Sequence, residues 1–178
     1  MKLRIFLIPW LFLIAASAAA QMNVPPGPEV KKLDYFVGSW TSEGTVAQGP
    51  WGMGGKFSAT ATNEWMAGNF FLQGHSDFKM PPEVGGDGKA ISFIGYDTDQ
   101  NRYTFDEFNS QGHRESSKGT LIGDTWTWNS SATYSGQDVE QKMTMKVLSP
   151  ASYSFKFEVS LDGGKSWMTF MEGKATKK

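Results

Sequence analysis

The strongest constraint on this chain is a strict two-residue alternation in its second half. Val139, Gln141, Met143, Met145 and Val147 share one side of an extended strand, while Glu140, Lys142, Thr144 and Lys146 share the other. Tyr153, Phe155, Phe157 and Val159 oppose Ser154, Lys156 and Glu158 in the same way, and Trp126 and Trp128 oppose Thr125 and Thr127. Strands with one apolar and one polar face need a common interior on one side and water on the other. An antiparallel sheet curled around a single core supplies both.

The rest of the chain repeats this unit. Strands are expected at about 39–46, 56–66, 70–78, 90–96, 102–108, 114–122, 125–130, 139–148, 152–160 and 166–174, with turn residues between them and no helical period of any length. The breaks are a glycine-rich loop at 47–55 that carries Trp51, the Ala67-Gly68-Asn69 turn, and a long proline- and glycine-containing stretch at 79–89 that is expected to overhang one end. Ten strands joined mostly by short turns predict an all-β fold: a single antiparallel up-and-down β-barrel, because closure removes exposed strand edges. A two-sheet sandwich is the competing architecture.

The first 20 residues stand apart. Lys2 and Arg4 begin them, 5–16 is apolar, and Ala18 and Ala20 give a small-x-small site before Gln21. This is the layout of a cleaved signal peptide, and its apolar run is shorter than the roughly 20 residues of a membrane span. The expected product is periplasmic or secreted, with no stable membrane anchor after cleavage. An extended proline-rich leader is expected over 21–32, and the barrel domain over 33–178. There is no cysteine, so no disulfide braces the domain and no lipid is attached through one. Without Lys2 and Arg4 the basic count falls from 17 to 15 against 18 acids, and no basic patch interleaves with aromatics. Nucleic acid is therefore not an expected partner.

The barrel's entry is expected at 33–40, where Leu33, Phe36 and Val37 pack, Gly38 takes a close or positive-φ backbone, and Trp40 closes one end. If the alternation holds, Trp65, Tyr103, Phe105, Glu107, Trp126, Trp128, Met143, Met145, Phe155 and Phe157 face inward. Aromatic and methionine walls suit a small apolar ligand, since methionine repacks around variable guests. The competing reading is that these side chains simply fill the interior and that the barrel works through its outer surface, as an interaction or envelope protein.

Three pieces carry a resemblance to a known family: residues 33–40 with Gly38-Ser39-Trp40, Phe93-Ile94-Gly95-Tyr96-Asp97 followed by Tyr103, and the closing stretch 160–167. The chain resembles exported bacterial lipocalin-like domains of unknown function within the calycin group of β-barrels. The resemblance implies a barrel that binds small molecules. It also implies a basic residue from near the last strand packed on the Gly-x-Trp tryptophan, and Lys174 is the expected one.

Other chemistry is weighed and set aside. Residues 160–167 match an Asp-box turn, read as a hairpin brace in which Asp162 accepts backbone N–H bonds and Trp167 closes over the loop. Asp97, Asp99 and Asn101 imitate the start of a calcium loop, but Arg102 and Phe108 stand where that loop needs glycine and glutamate. Of the two histidines, His75 is expected to point outward and His113 sits at a glycine turn, so neither haem nor a metal is expected. Asp106 and Glu107 face opposite ways, and no nucleophile–histidine arrangement is visible, so turnover is not expected. Glu107, inward beside Tyr103 and Phe105, is the group through which a hydrolase or isomerase would act.

Overall fold

The computed structural model describes residues 25–178 apart from Trp51 and Ser135; the expected signal peptide and the start of the leader lie outside the described residues. Ten antiparallel strands follow one another: β1 (Gly38–Val46), β2 (Gly55–Trp65), β3 (Leu72–Lys79), β4 (Gly88–Asp97), β5 (Arg102–Asn109), β6 (Arg114–Ile122), β7 (Thr125–Tyr134), β8 (Gln137–Ser149), β9 (Ser152–Ser160) and β10 (Met168–Lys177). Each pairs with its neighbours in sequence, and β1 closes the ring by pairing with both β2 and β10. Trp40 thus lies opposite Ala61 on one side and Lys177 on the other. This is the closed up-and-down barrel, not the sandwich.

The strands at 114–122 and 152–160 have the expected bounds. The β7–β8 hairpin is longer than expected, running through Tyr134 and resuming at Gln137, because Ser130 is polar and Ala132 small on the inner face, which hides the alternation there. β10 begins later and ends later than expected, at Met168 and Lys177, because 160–167 is used up by its turn.

Residues directly opposite one another in a ladder share a face, so the inner surface can be followed from strand to strand. Tyr96 faces Tyr103, which faces Gly119, which faces Trp128, which faces Met143, which faces Phe157. Gly119 matters because the Trp128 ring lies on it: a Cβ there would fall on the indole.

One end of the barrel is plugged by the segment before β1. Pro28, whose fixed φ suits a first helical position, opens a single turn, α1 (Pro28–Lys31), and a 3-10 turn follows over Lys32–Phe36. The last residues of the expected extended leader are therefore helical, which turns Val30, Leu33 and Phe36 to the same interior; all three are buried. Phe36 meets Trp126 with ring centres 5.0 Å apart, and Trp126 stacks on Trp128 at 6.0 Å with planes 6° apart. Burying Leu33 and Phe36 is worth roughly 1.5–3 kcal/mol each. Gly38 has φ +104, as the entry to β1 requires.

The plug is also hydrogen-bonded in place. The Phe36 carbonyl accepts from Trp40 Nε1 and Asn63 Nδ2, both at 2.9 Å. Trp65 Nε1 donates to Asp34 at 2.8 Å, and the Tyr35 hydroxyl donates to the Ser152 carbonyl at 2.9 Å. The cation on Trp40 is Lys177, 5.3 Å from the ring centre, and not Lys174. The register explains this correction. Lys174 sits opposite Glu43 on the outer face, whereas Lys177 is the partner of Trp40 itself.

Candidate functional site

All ten side chains expected to line the interior lie on the inner face, but they divide between two environments. Tyr103, Trp126 and Trp128 belong to the packed cluster with Leu33, Phe36, Leu72 and Ile94, and Phe155 is buried nearby. Tyr103 is fixed further by donating to the Glu29 carboxylate at 2.8 Å, and burial together with that bond pushes its pKa up. These residues are walls of a filled end.

Trp65, Phe105, Glu107, Met143, Met145 and Phe157 remain only half-buried although the ladders turn them inward. Trp65 lies beside the plug, and Phe105, Met143 and Met145 pack against the buried cluster. Solvent therefore reaches the middle of the interior and only part of its far half, where Val46, Val139, Gln141 and Val159 are buried again. Inward positions in that half include Phe57, Ser92, Glu107, Glu115, Ser130 and Gln141.

Glu107 on β5 faces Ser92 on β4 and Glu115 on β6. The Glu115 carboxylate accepts from Ser117 Oγ at 2.6 Å, and Ser130 Oγ lies 3.3 Å from the same oxygen and 3.0 Å from Gln141 Oε1. Gln141 in turn donates to the Tyr134 hydroxyl at 3.1 Å. Glu107 makes no hydrogen bond among the described residues. Burial, and secondarily the Glu115 charge, raise its pKa to about 7. Glu115 is supplied with hydroxyl donors, whereas Glu107 has none among the described residues and keeps its proton to higher pH than an ordinary carboxyl.

The polar partners of Glu107 were not legible as a site. On β6 only Leu121 marks the inner face as apolar, so Glu115 and Ser117 give no hydrophobic signal. The one available clue was the 110–113 turn, whose register sets Glu107 against Glu115.

The remaining motifs take structural roles. Asp162 accepts the Lys165 and Ser166 N–H groups at 3.0 and 2.9 Å and the Ser166 hydroxyl at 2.6 Å, which holds its pKa down to about 2. Trp167 Nε1 donates to the Gly164 carbonyl, closing the hairpin brace. Asp97 accepts the N–H groups of Asp99 and Gln100 within its own turn. His75 is exposed on the outer face beside Gln73, and Asp77 is paired with Lys89. Among the described residues no three metal-ligating side chains converge. The 79–89 loop, with a 3-10 turn at Pro82–Val84, lies at the end opposite the plug, where Gln111 Nε2 donates to the Gly85 carbonyl at 2.6 Å. Two hollows, about 510 and 450 Å³, lie on the outer wall. The first is edged by Thr144, Lys146, Lys156 and Glu172, the second by His75, Lys89, Ile91 and Phe108.

Fold and interior together define a calycin-type, lipocalin-like barrel, plugged at one end by its own N-terminal segment. The chain belongs to the family described as protein of unknown function DUF1579, which it matches over residues 25–177. No curated protein matches it. Among solved structures it is similar to Rv2717c from M. tuberculosis, with a TM-score of 0.59 and 11% identity over 85% of this chain and 98% of that one. It is also similar to the S-type phycobiliprotein lyase CPES from Guillardia theta, with a TM-score of 0.56 and 10% identity over 90% of this chain and 96% of that one. At such identities the likeness concerns the barrel alone.

Proposed function

We propose that this is an exported binding protein that holds a small, mostly apolar molecule in the unplugged half of its barrel. The observation that carries the reading is the contrast within one inner face. Leu33, Leu72 and Trp126 at the plugged end are buried to 2% exposure or less, while Phe105, Met143 and Phe157 further up stay half-buried. An interior that solvent reaches between aromatic and methionine walls favours an apolar guest, whose burial there would remove apolar surface from water. The phycobiliprotein lyase among the structural neighbours supports the idea that a barrel of this shape serves small-molecule chemistry. Export to the periplasm or beyond is supported by the layout of residues 1–20.

The test is a titration with N-phenyl-1-naphthylamine, a neutral dye that brightens in apolar surroundings. Saturable brightening at one dye per chain, with quenching of the inward tryptophans, is the expected result. No brightening, or unsaturable brightening, would overturn the reading.

A second reading is turnover of the same guest, and one observation favours it: a carboxyl with a pKa of about 7 facing a second carboxylate inside the barrel is suited to donate and recover a proton. Loss of any screened activity in Glu107→Gln, with dye binding kept, would decide for it.

A further inference from the structure

We infer that the barrel interior selects its guest by head-group charge, accepting amphiphiles with an ammonium or neutral hydrogen-bond-donating head and rejecting those with a carboxylate. This rests on the proposed binding role and goes further, because it names the class of ligand. The site is the solvent-reached interior itself; the two glutamates set its preference.

Glu107 and Glu115 are direct cross-strand partners on the inner face, so their carboxyl groups project into the same part of the interior. The titratable groups around them are each other and Tyr134 on β7, whose ring meets exposed His113 in the turn above. Among the described strand residues the ladders turn one cation inward, Lys177, and it lies at the plugged end against Trp40 and the Tyr35 carbonyl. No cation faces the glutamates from β4, β6, β7 or β8.

The chemistry then divides the two carboxyls. Glu115 is satisfied by the Ser117 hydroxyl, with Ser130 nearby. Glu107 finds Ser92 and Glu115 opposite it yet makes no hydrogen bond among the described residues, so it is the group with acceptor capacity left for a guest. Facing Glu115 without a cation is costly for an ionised Glu107, and an incoming ammonium removes that cost by pairing with it. An incoming carboxylate does the reverse, placing a third like charge beside two carboxyls that no cation faces. A neutral hydroxyl lies between, donating to Glu107 without changing the charge.

The aromatic and methionine residues suit the tail of the same molecule. Phe105 and Phe157 stand on the inner face with Met143, whose ladder partner is Phe157, and all three stay half-buried. A guest with an alkyl or aryl body and a donor head would place the body against these side chains and the head at Glu107.

The experiment is displacement of bound N-phenyl-1-naphthylamine by dodecylamine, 1-dodecanol and dodecanoate, which share a chain length and differ only in head group. At pH 7.5 the amine is expected to compete at least tenfold more strongly than the acid, with the alcohol between. Glu107→Gln is close in shape to the wild type, keeps an acceptor for the alcohol in its amide oxygen, and is expected to bring amine and alcohol within about threefold of each other. Dodecanoate competing as well as dodecylamine, with the dye bound normally, would overturn the inference and leave the binding role standing. A dye that does not bind at all would overturn both. The wild-type comparison needs no variant, so a misfolded Glu107→Gln would not rescue the inference from an unfavourable ranking.

Discussion

Lys177, at the end of β10, holds its ammonium 5.3 Å from the centre of the Trp40 ring and 3.3 Å from the Tyr35 carbonyl oxygen. The end of the last strand thereby fastens both the first strand and the plug beneath it. Replacing the ammonium should cost about 1 kcal/mol, since a cation on an indole face contributes about 0.5–2 kcal/mol. Lys177→Met keeps most of the side chain's apolar stem and is expected to lower the urea midpoint accordingly. Lys174→Met, on the outer face opposite Glu43, should shift stability by less than about 0.5 kcal/mol.

The plug is core, and its removal should show as such. Phe36 is 5% exposed and touches Trp126 and Tyr35 edge-on. Phe36→Ala is expected to destabilise by about 3–5 kcal/mol, with a change in the near-ultraviolet dichroism of the tryptophans. A loss below 1 kcal/mol in chemical denaturation would mean that the segment is an accessory strap.

Gly119 makes room for a ring. A Cβ there lands on the Trp128 indole, which is itself stacked on Trp126. Gly119→Ala should cost about 1–3 kcal/mol through overpacking and shift the tryptophan emission. An unchanged spectrum and midpoint would show that the ring is free to move aside.

Glu107 predicts a pH dependence with a definite sign. Its carboxyl titrates near 7 in the folded protein and near 4.5 in the unfolded chain, so the folded state holds the extra proton between those values. Stability contributed by this group is therefore present below about pH 4.5 and lost as pH rises through 7. Glu107→Gln removes the effect: relative to the wild type it should gain on the order of 2 kcal/mol between pH 5 and pH 8. A constant difference between the two proteins across that range would place Glu107 in open solvent.

Strand parity is legible in this chain wherever bulky apolar residues alternate with charged ones, as from Val139 to Val147 and from Tyr153 to Val159. It places Trp126, Met143 and Phe157 on the inner face without any coordinates. It is blind where the inner face turns polar: Glu115, Ser117 and Ser130 carry no apolar mark, so the environment of Glu107 emerges only from the ladders. The plug was half visible. Leu33 and Phe36 read as packed residues, but the helical turn from Pro28 onward is too short to show a period, and tertiary burial of Val30 holds it. Lys177 was missed for a simpler reason, that the last strand runs three residues further than its alternation suggests.

The proposed binding role rests on an interior that is filled at the plugged end and reached by solvent at its middle, and the absence of cysteine from the chain makes this directly measurable. Single cysteines placed at Met143 and at Leu72 can be labelled in the native protein with a small uncharged thiol reagent. Fast labelling of Met143→Cys, slowed by bound dodecylamine, and labelling of Leu72→Cys limited by unfolding are the expected results. Equal protection of both positions under native conditions would contradict the binding role, because the barrel would then be packed throughout and have no space for a guest.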